Sequence, residues 1–211
     1  MCNNEKTMYK KMAKINKLEM EIGVGQALFD DPVNPTKRYF LEKRWGTGDK
    51  VFGAIMMNPS KAGALEGDET VNGLIKLAKA KNYSALYVVN IIPYICSSES
   101  QLPKEINNII TEPIQLKSMQ FVLKESDVIL LGWGRTGHKY LSDLLNKEEI
   151  KELFKLHKQK CKVVGLGYKE RFPLHPRPLG MDRYKMDTLG DKFELKNVSK
   201  ELENWINNAS I

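Results

Sequence analysis

Four runs of nearly unbroken apolar residues, 51–57, 85–92, 128–131 and 161–166, stand out from a polar, lysine-rich background. Such runs lack the alternation of a half-exposed strand and predict strands covered on both faces. Residues 38–45, rich in aromatics, read as a further strand. Between the strands the apolar positions shift to three- and four-residue steps, the spacing of one helical face. Asp68 and Thr70 can cap a helix bearing Val71, Leu74, Ile75 and Leu77, which Asn82 ends. A second helix carries Ile114, Leu116, Met119, Phe121, Val122 and Leu123, and a third spans residues 140–156. A closing helix over residues 199–207 presents Leu202, Trp205 and Ile206. At the other end, Met8, Met12, Ile15, Leu18 and Ile22 form one face of an N-terminal helix with lysines opposite. Gly23, Gly25, Asp30, Asp31, Pro32, Asn34 and Pro35 then predict an irregular link.

Helices alternating with buried strands imply a central, mostly parallel sheet with helices on both faces, a three-layer α/β/α fold. The 211 residues are read as one domain. Within it, residues 1–36 form a helical extension and linker, 37–179 a motif-bearing core, and 180–211 a closing segment.

Composition adds limits. The chain is 42% apolar and 28% charged, an ordinary globular balance, and its net charge of +7 favours polyanionic partners without naming one. Cys2, Cys96 and Cys161 have no paired spacing, so neither a disulfide framework nor a four-thiolate iron–sulfur cluster is expected. No signal-peptide pattern and no apolar run long enough for a membrane span occurs. The expectation is a cytoplasmic monomer without metal or cofactor.

In open parallel sheets, ligands bind beyond the carboxyl ends of the strands. Directly after the apolar runs come Asn58-Pro59-Ser60-Lys61, then Asn90, then Gly132-Trp133-Gly134-Arg135, and lastly Gly167-Tyr168 with Pro173-Leu174-His175-Pro176-Arg177-Pro178-Leu179 a few residues on. Each has a plain structural reading. Asn-Pro opens turns, Asn90 can satisfy local backbone, Trp133 suits a core, and two prolines merely stiffen a loop. His138 and His157 sit in no motif and read as structural. Gly132-Trp133-Gly134 and Gly165-Leu166-Gly167 lack the third glycine of a dinucleotide-binding turn, which argues against a Rossmann-type site.

In their order, these segments resemble the uracil-DNA glycosylase superfamily. Met56-Met57-Asn58-Pro59 is similar to its G-x-N-P loop, Val88-Val89-Asn90 to its L-N strand end, residues 130–134 to its L-L-W-G, and residues 175–179 to its H-P-S-P-L. The chain resembles still more closely the bacterial and phage family called domain of unknown function 1643, through residues 38–45, 56–62, 68–70, 88–90, 133–137 and 175–176. The resemblance implies a base-excising, DNA glycosylase-like hydrolase that flips a nucleotide out of DNA and cleaves its N-glycosidic bond. Asn58 would orient water, having no useful pKa with which to deprotonate it, and His175 would donate to charge forming on the departing base. Asn90 would read a base edge, with Met57, Pro59, Ser60, Tyr94, Trp133 and Asp68 around the base, although capping is the more natural task of Asp68. Lys61, Arg135 and Arg177 would meet phosphates, and Leu179 would wedge into the gap. Two positions depart from the glycosylase pattern, Met56 for Gly and Arg177 for Ser. They keep open an alternative, a non-catalytic nucleotide- or modified-base-binding protein serving phage DNA modification or defence. A bulky modified pyrimidine is a candidate base, since no aromatic stands closely behind Pro59.

Overall fold

The computed structural model describes residues 23–60, 62–176 and 194–208. The expected helix over residues 8–22 lies outside them, as do Lys61, Arg177 and Leu179. Seven strands form one sheet: β1 (Val24–Phe29), β2 (Arg38–Arg44), β3 (Val51–Met56), β4 (Ala85–Asn90), β5 (Val128–Gly132), β6 (Cys161–Val163) and β7 (Lys196–Asn197), in the order β1-β2-β4-β3-β5-β6-β7. The centre, β4-β3-β5-β6, is parallel, whereas β1, β2 and β7 run antiparallel to their neighbours.

Strand side chains alternate between faces, and this divides the interior in two. Phe52, Ala54, Met56, Leu86 and Val88 meet Val71, Leu74, Leu77 and Ala78 of α1 (Glu69–Ala80). On the opposite face Ile55, Val89, Ile129 and Leu131 pack with Leu116, Met119, Val122 and Leu123 of α3 (Pro113–Glu125), which follows the short α2 (Ile106–Ile110). The same cluster takes in α5 (Leu141–Leu145), α6 (Glu148–His157) and α7 (Ser199–Asn208) through Leu141, Phe154 and Trp205, together with Gly-flanked Trp133, the N-cap residue of the short α4 (Gly134–Lys139). Helices therefore cover both faces, giving three layers.

Asp68 caps α1 by accepting from the Val71 amide at 2.7 Å, and Asn82, at φ 61°, turns the chain out after it. Pro113 opens α3, where a missing N–H costs nothing.

Three expectations need correction. The glycine-rich link contains β1, whose residues are exposed or half-buried. Pairing with β2, not its own apolarity, makes it a strand. The helix over residues 140–156 is two, broken where Lys147 is extended (φ −89°, ψ 106°), so that Leu144 and Phe154 can each reach the core. The last apolar run is a strand only to Val163. Beyond it the Gly167 amide donates to Phe172 O (2.8 Å) and the Leu174 amide to Gly165 O (2.9 Å), which folds the chain back toward β5.

From β3 the chain crosses by α1 to β4 on one side, then returns over β3 to β5 on the other. That reversal opens a crevice at the carboxyl ends of the central strands.

Candidate functional site

Register places Met56 opposite Asn90 on one side and opposite Gly132 on the other, so three strands end in one row. Just past that row lie Met57 and Asn58. The returning segment closes the third side. A Cβ on Gly132 would come 2.8 Å from Pro176 Cδ and 3.0 Å from Met56 Sδ, so only glycine lets the His-Pro turn seat against the strand end. Gly134, at φ 66°, turns the chain there, with His175 Cβ 3.6 Å from where its own Cβ would stand.

The result is a cavity of about 770 Å³. Its wall includes Met57, Asn58, Ser60, Asp68, Asn90 and His175, all expected from the sequence, together with Arg38, Ile95, Cys96 and Gln101, which were not.

Hydrogen bonds orient the two asparagines. Asn58 Nδ2 donates to Cys96 O at 2.7 Å and to Pro59 O at 3.2 Å. Two neighbouring carbonyls settle which end is nitrogen, and among the described residues Oδ1 takes no hydrogen bond. Asn58 therefore offers an acceptor. Asn90 is the opposite case. Its Oδ1 accepts from the Arg38 guanidinium at 3.3 Å, while its backbone oxygen accepts from Gln115 Nε2 at 2.6 Å. Asn90 and Gln115 are both buried, and no described group accepts from Asn90 Nδ2.

Asp68 does two things. One oxygen caps α1; the other accepts from the Ser60 hydroxyl, which ties the Asn-Pro-Ser turn to the helix start. Pro59 is buried beneath the turn and supplies only its carbonyl.

Arg38 is 2% exposed. Besides Asn90 it donates to Ala62 O at 2.6 Å, and among the described residues its Nε has no partner. Burial pulls the guanidinium down to about 10, with Asp68 opposing the shift, so it stays charged at neutral pH. Lys43, further along β2, donates to Ala64 O (2.7 Å) and Glu66 O (3.2 Å). Two cations of one strand thus hold the loop between Ser60 and Asp68 by its carbonyls.

Residues 38–177 match a family described as "Protein of unknown function (DUF1643)". The chain belongs to that family. The matched stretch begins at Arg38 and passes His175, so every described residue of the cavity wall of this DUF1643 member lies inside it. No curated protein matches the chain.

Besides Pro59, which is off the cavity wall, two expected pocket residues lie elsewhere. Trp133 is fully buried, its ring against Phe154 (6.5 Å between centroids) and Trp205 (5.9 Å), because an indole of that area is worth most in the core. Its Nε1 donates to His138 Nδ1 at 3.4 Å, and burial lowers the pKa of that imidazole, which keeps the acceptor nitrogen free. Tyr94 is half-buried against the α3-side core and pairs with Lys37, off the cavity wall. Arg135 is exposed near Glu99, which it helps to keep ionised together with Lys139. Among the described residues no cluster of His, Cys, Asp and Glu is arranged to hold a metal ion, and no helix is long and apolar enough to cross a membrane.

Proposed function

We propose that this DUF1643 member is a uracil-DNA glycosylase-like hydrolase that takes a flipped-out base, a modified pyrimidine among the candidates, and breaks its N-glycosidic bond. One observation supports this most: Asn58, Asn90 and His175, each the end of a separate chain segment, face one cavity at the carboxyl edge of the parallel strands.

The chemistry asks for little else. Bond cleavage leaves an oxocarbenium-like sugar and an anionic base, so the site must orient a water and stabilise negative charge. Asn58 Oδ1, held by the two bonds to its nitrogen, accepts from a water without deprotonating it. Asn90 Nδ2 donates to the base edge, and His175 donates to the oxygen on which charge collects. The positive net charge draws in the DNA backbone, and Lys61, Arg135 and Arg177 are proposed phosphate contacts, with Leu179 filling the vacated stack.

A base-release screen over DNAs bearing uracil, other deaminated bases and bulky modified pyrimidines, read by mass spectrometry, is expected to show at least one released base. Asn58→Ala and His175→Ala should each slow that release by about 10²–10³-fold. If no base is released and one of the DNAs or its nucleotide is bound tightly, the site is that of a binding protein.

A further inference from the structure

The least expected group in the cavity wall is a buried cation. Among the described residues Arg38 has no direct bond to a carboxylate; it spends its donors on Asn90 Oδ1 and Ala62 O, and its buried Nε finds no partner there. A buried charge without a direct counter-ion is costly, and a hydrophobic residue would fill a strand position at less expense. Its two bonds have distinct consequences. Holding Ala62 O sets the loop that follows the Asn-Pro-Ser turn. Holding Asn90 Oδ1 fixes the carboxamide so that its nitrogen is the end left for a ligand, with Gln115 bracing the backbone of the same residue.

We propose that Arg38 is a positioning and charge-setting residue of the base pocket: it fixes Asn90 as a donor and lays a positive charge behind the carbonyl edge of the bound base. This rests on the base-excision reading. The site then takes rings that present a carbonyl oxygen to Asn90 and carry a ring N–H, because such rings can leave as anions. An exocyclic amine at that edge would meet donor against donor. The cation acts through space on the leaving base and transfers no proton: the N-glycosidic bond breaks with its electron pair going to the base, the water held by Asn58 forms the new C1′–O bond, and the proton that water loses goes to the base anion or to solvent.

The test uses oligonucleotides carrying one 2′-fluoroarabino nucleotide that resists cleavage, with uracil, 5-fluorouracil or cytosine as the base. Uracil and 5-fluorouracil are close in size and differ in N–H acidity. The full chain is expected to bind 5-fluorouracil more tightly than uracil, and uracil at least about tenfold more tightly than cytosine. Arg38→Gln should erase the preference for the more acidic ring. Arg38→Lys, which keeps charge but not the fork, should retain that preference and weaken selection against cytosine. Asn90→Asp places a carboxylate against the guanidinium, so it should fold even where Arg38→Gln does not, and should lose both preferences. Folded variants with the wild-type order of affinities would overturn the role of Arg38 while leaving base excision standing. A wild-type chain that binds none of the three more tightly than unmodified DNA overturns both.

Discussion

Cys96 and Cys161 show how place decides the chemistry of one side-chain type. Cys161, the first residue of β6, is fully buried, and burial pushes its thiol up to about 12; Cys96 is half-buried at the cavity wall, its thiol raised by burial and eased by the Ser98 amide. In a Cys2→Ser background, iodoacetamide is expected to label Cys96 and spare Cys161 until the protein unfolds, with peptide mass spectrometry as the readout. A bound base should protect Cys96; equal labelling of both cysteines would contradict their placement. The same burial makes stability pH-dependent. The unfolded thiol ionises near 9, well before the folded one, so between pH 9 and 12 the unfolded state holds fewer protons and stability falls as pH rises. Cys161→Ala should flatten that fall in denaturant titrations, by on the order of a few kcal/mol at its upper end. Trp133 behaves as core. Trp133→Ala should cost about 3–5 kcal/mol, whereas Trp133→Phe should lower Tm and leave affinity for the uracil probe unchanged. A loss of affinity at normal stability would return Trp133 to the pocket.

Among the elements, α1 is tied to the site by its own cap. Asp68→Ala removes the bond to Val71 N and the tether to Ser60 together, so it should destabilise by about 1 kcal/mol and loosen the Asn-Pro-Ser turn. Asp68→Asn keeps an acceptor for the cap. Urea unfolding for stability and base-release rates for the turn separate the two effects: the asparagine variant should regain most of the stability. A rate equal to wild type in the alanine variant would deny that the tether matters. Elements with strong internal signals were legible in the chain itself, as with α1, α3, α7 and the central strands, whose boundaries fall within a few residues of expectation. Those defined by their neighbours were not. The strand β1 has no buried residue of its own, and the break between α5 and α6 follows from where Leu144 and Phe154 must land.

At the scale of the whole molecule, folding gathers cations that lie apart in sequence. Lys169, Arg171 and Lys200 line a second cavity of about 570 Å³ beside His138 and Trp205, with Glu201 as its carboxylate. Among the described residues none of these three cations is in an ion pair, and the loop holding Lys169 and Arg171 also delivers His175. If the partner is DNA, log affinity should fall linearly with log salt, and the double variant Lys169→Glu/Arg171→Glu should shallow that slope by about 1–2. Affinity indifferent to salt would argue against a phosphate-bound partner.

The chain alone determined the alternation of buried strands and helices, and it pointed to the carboxyl edge and to Asn58, Asn90 and His175, which the fold brings to one cavity wall, because apolar runs and the polar residues that end them are local signals. Tertiary structure decided the rest. Arg38 reads as the first residue of a strand that belongs to the family pattern, far in sequence from the polar strand ends that mark the site. It reaches the site because β2 runs antiparallel to β4, which brings the start of one strand to the end of the other. Trp133 follows a strand end just as Asn58 does, yet it turns inward, since only the assembled core offers Phe154 and Trp205 to an indole. Strand direction and side-chain partners are properties of the packed whole, and no window of sequence contains them.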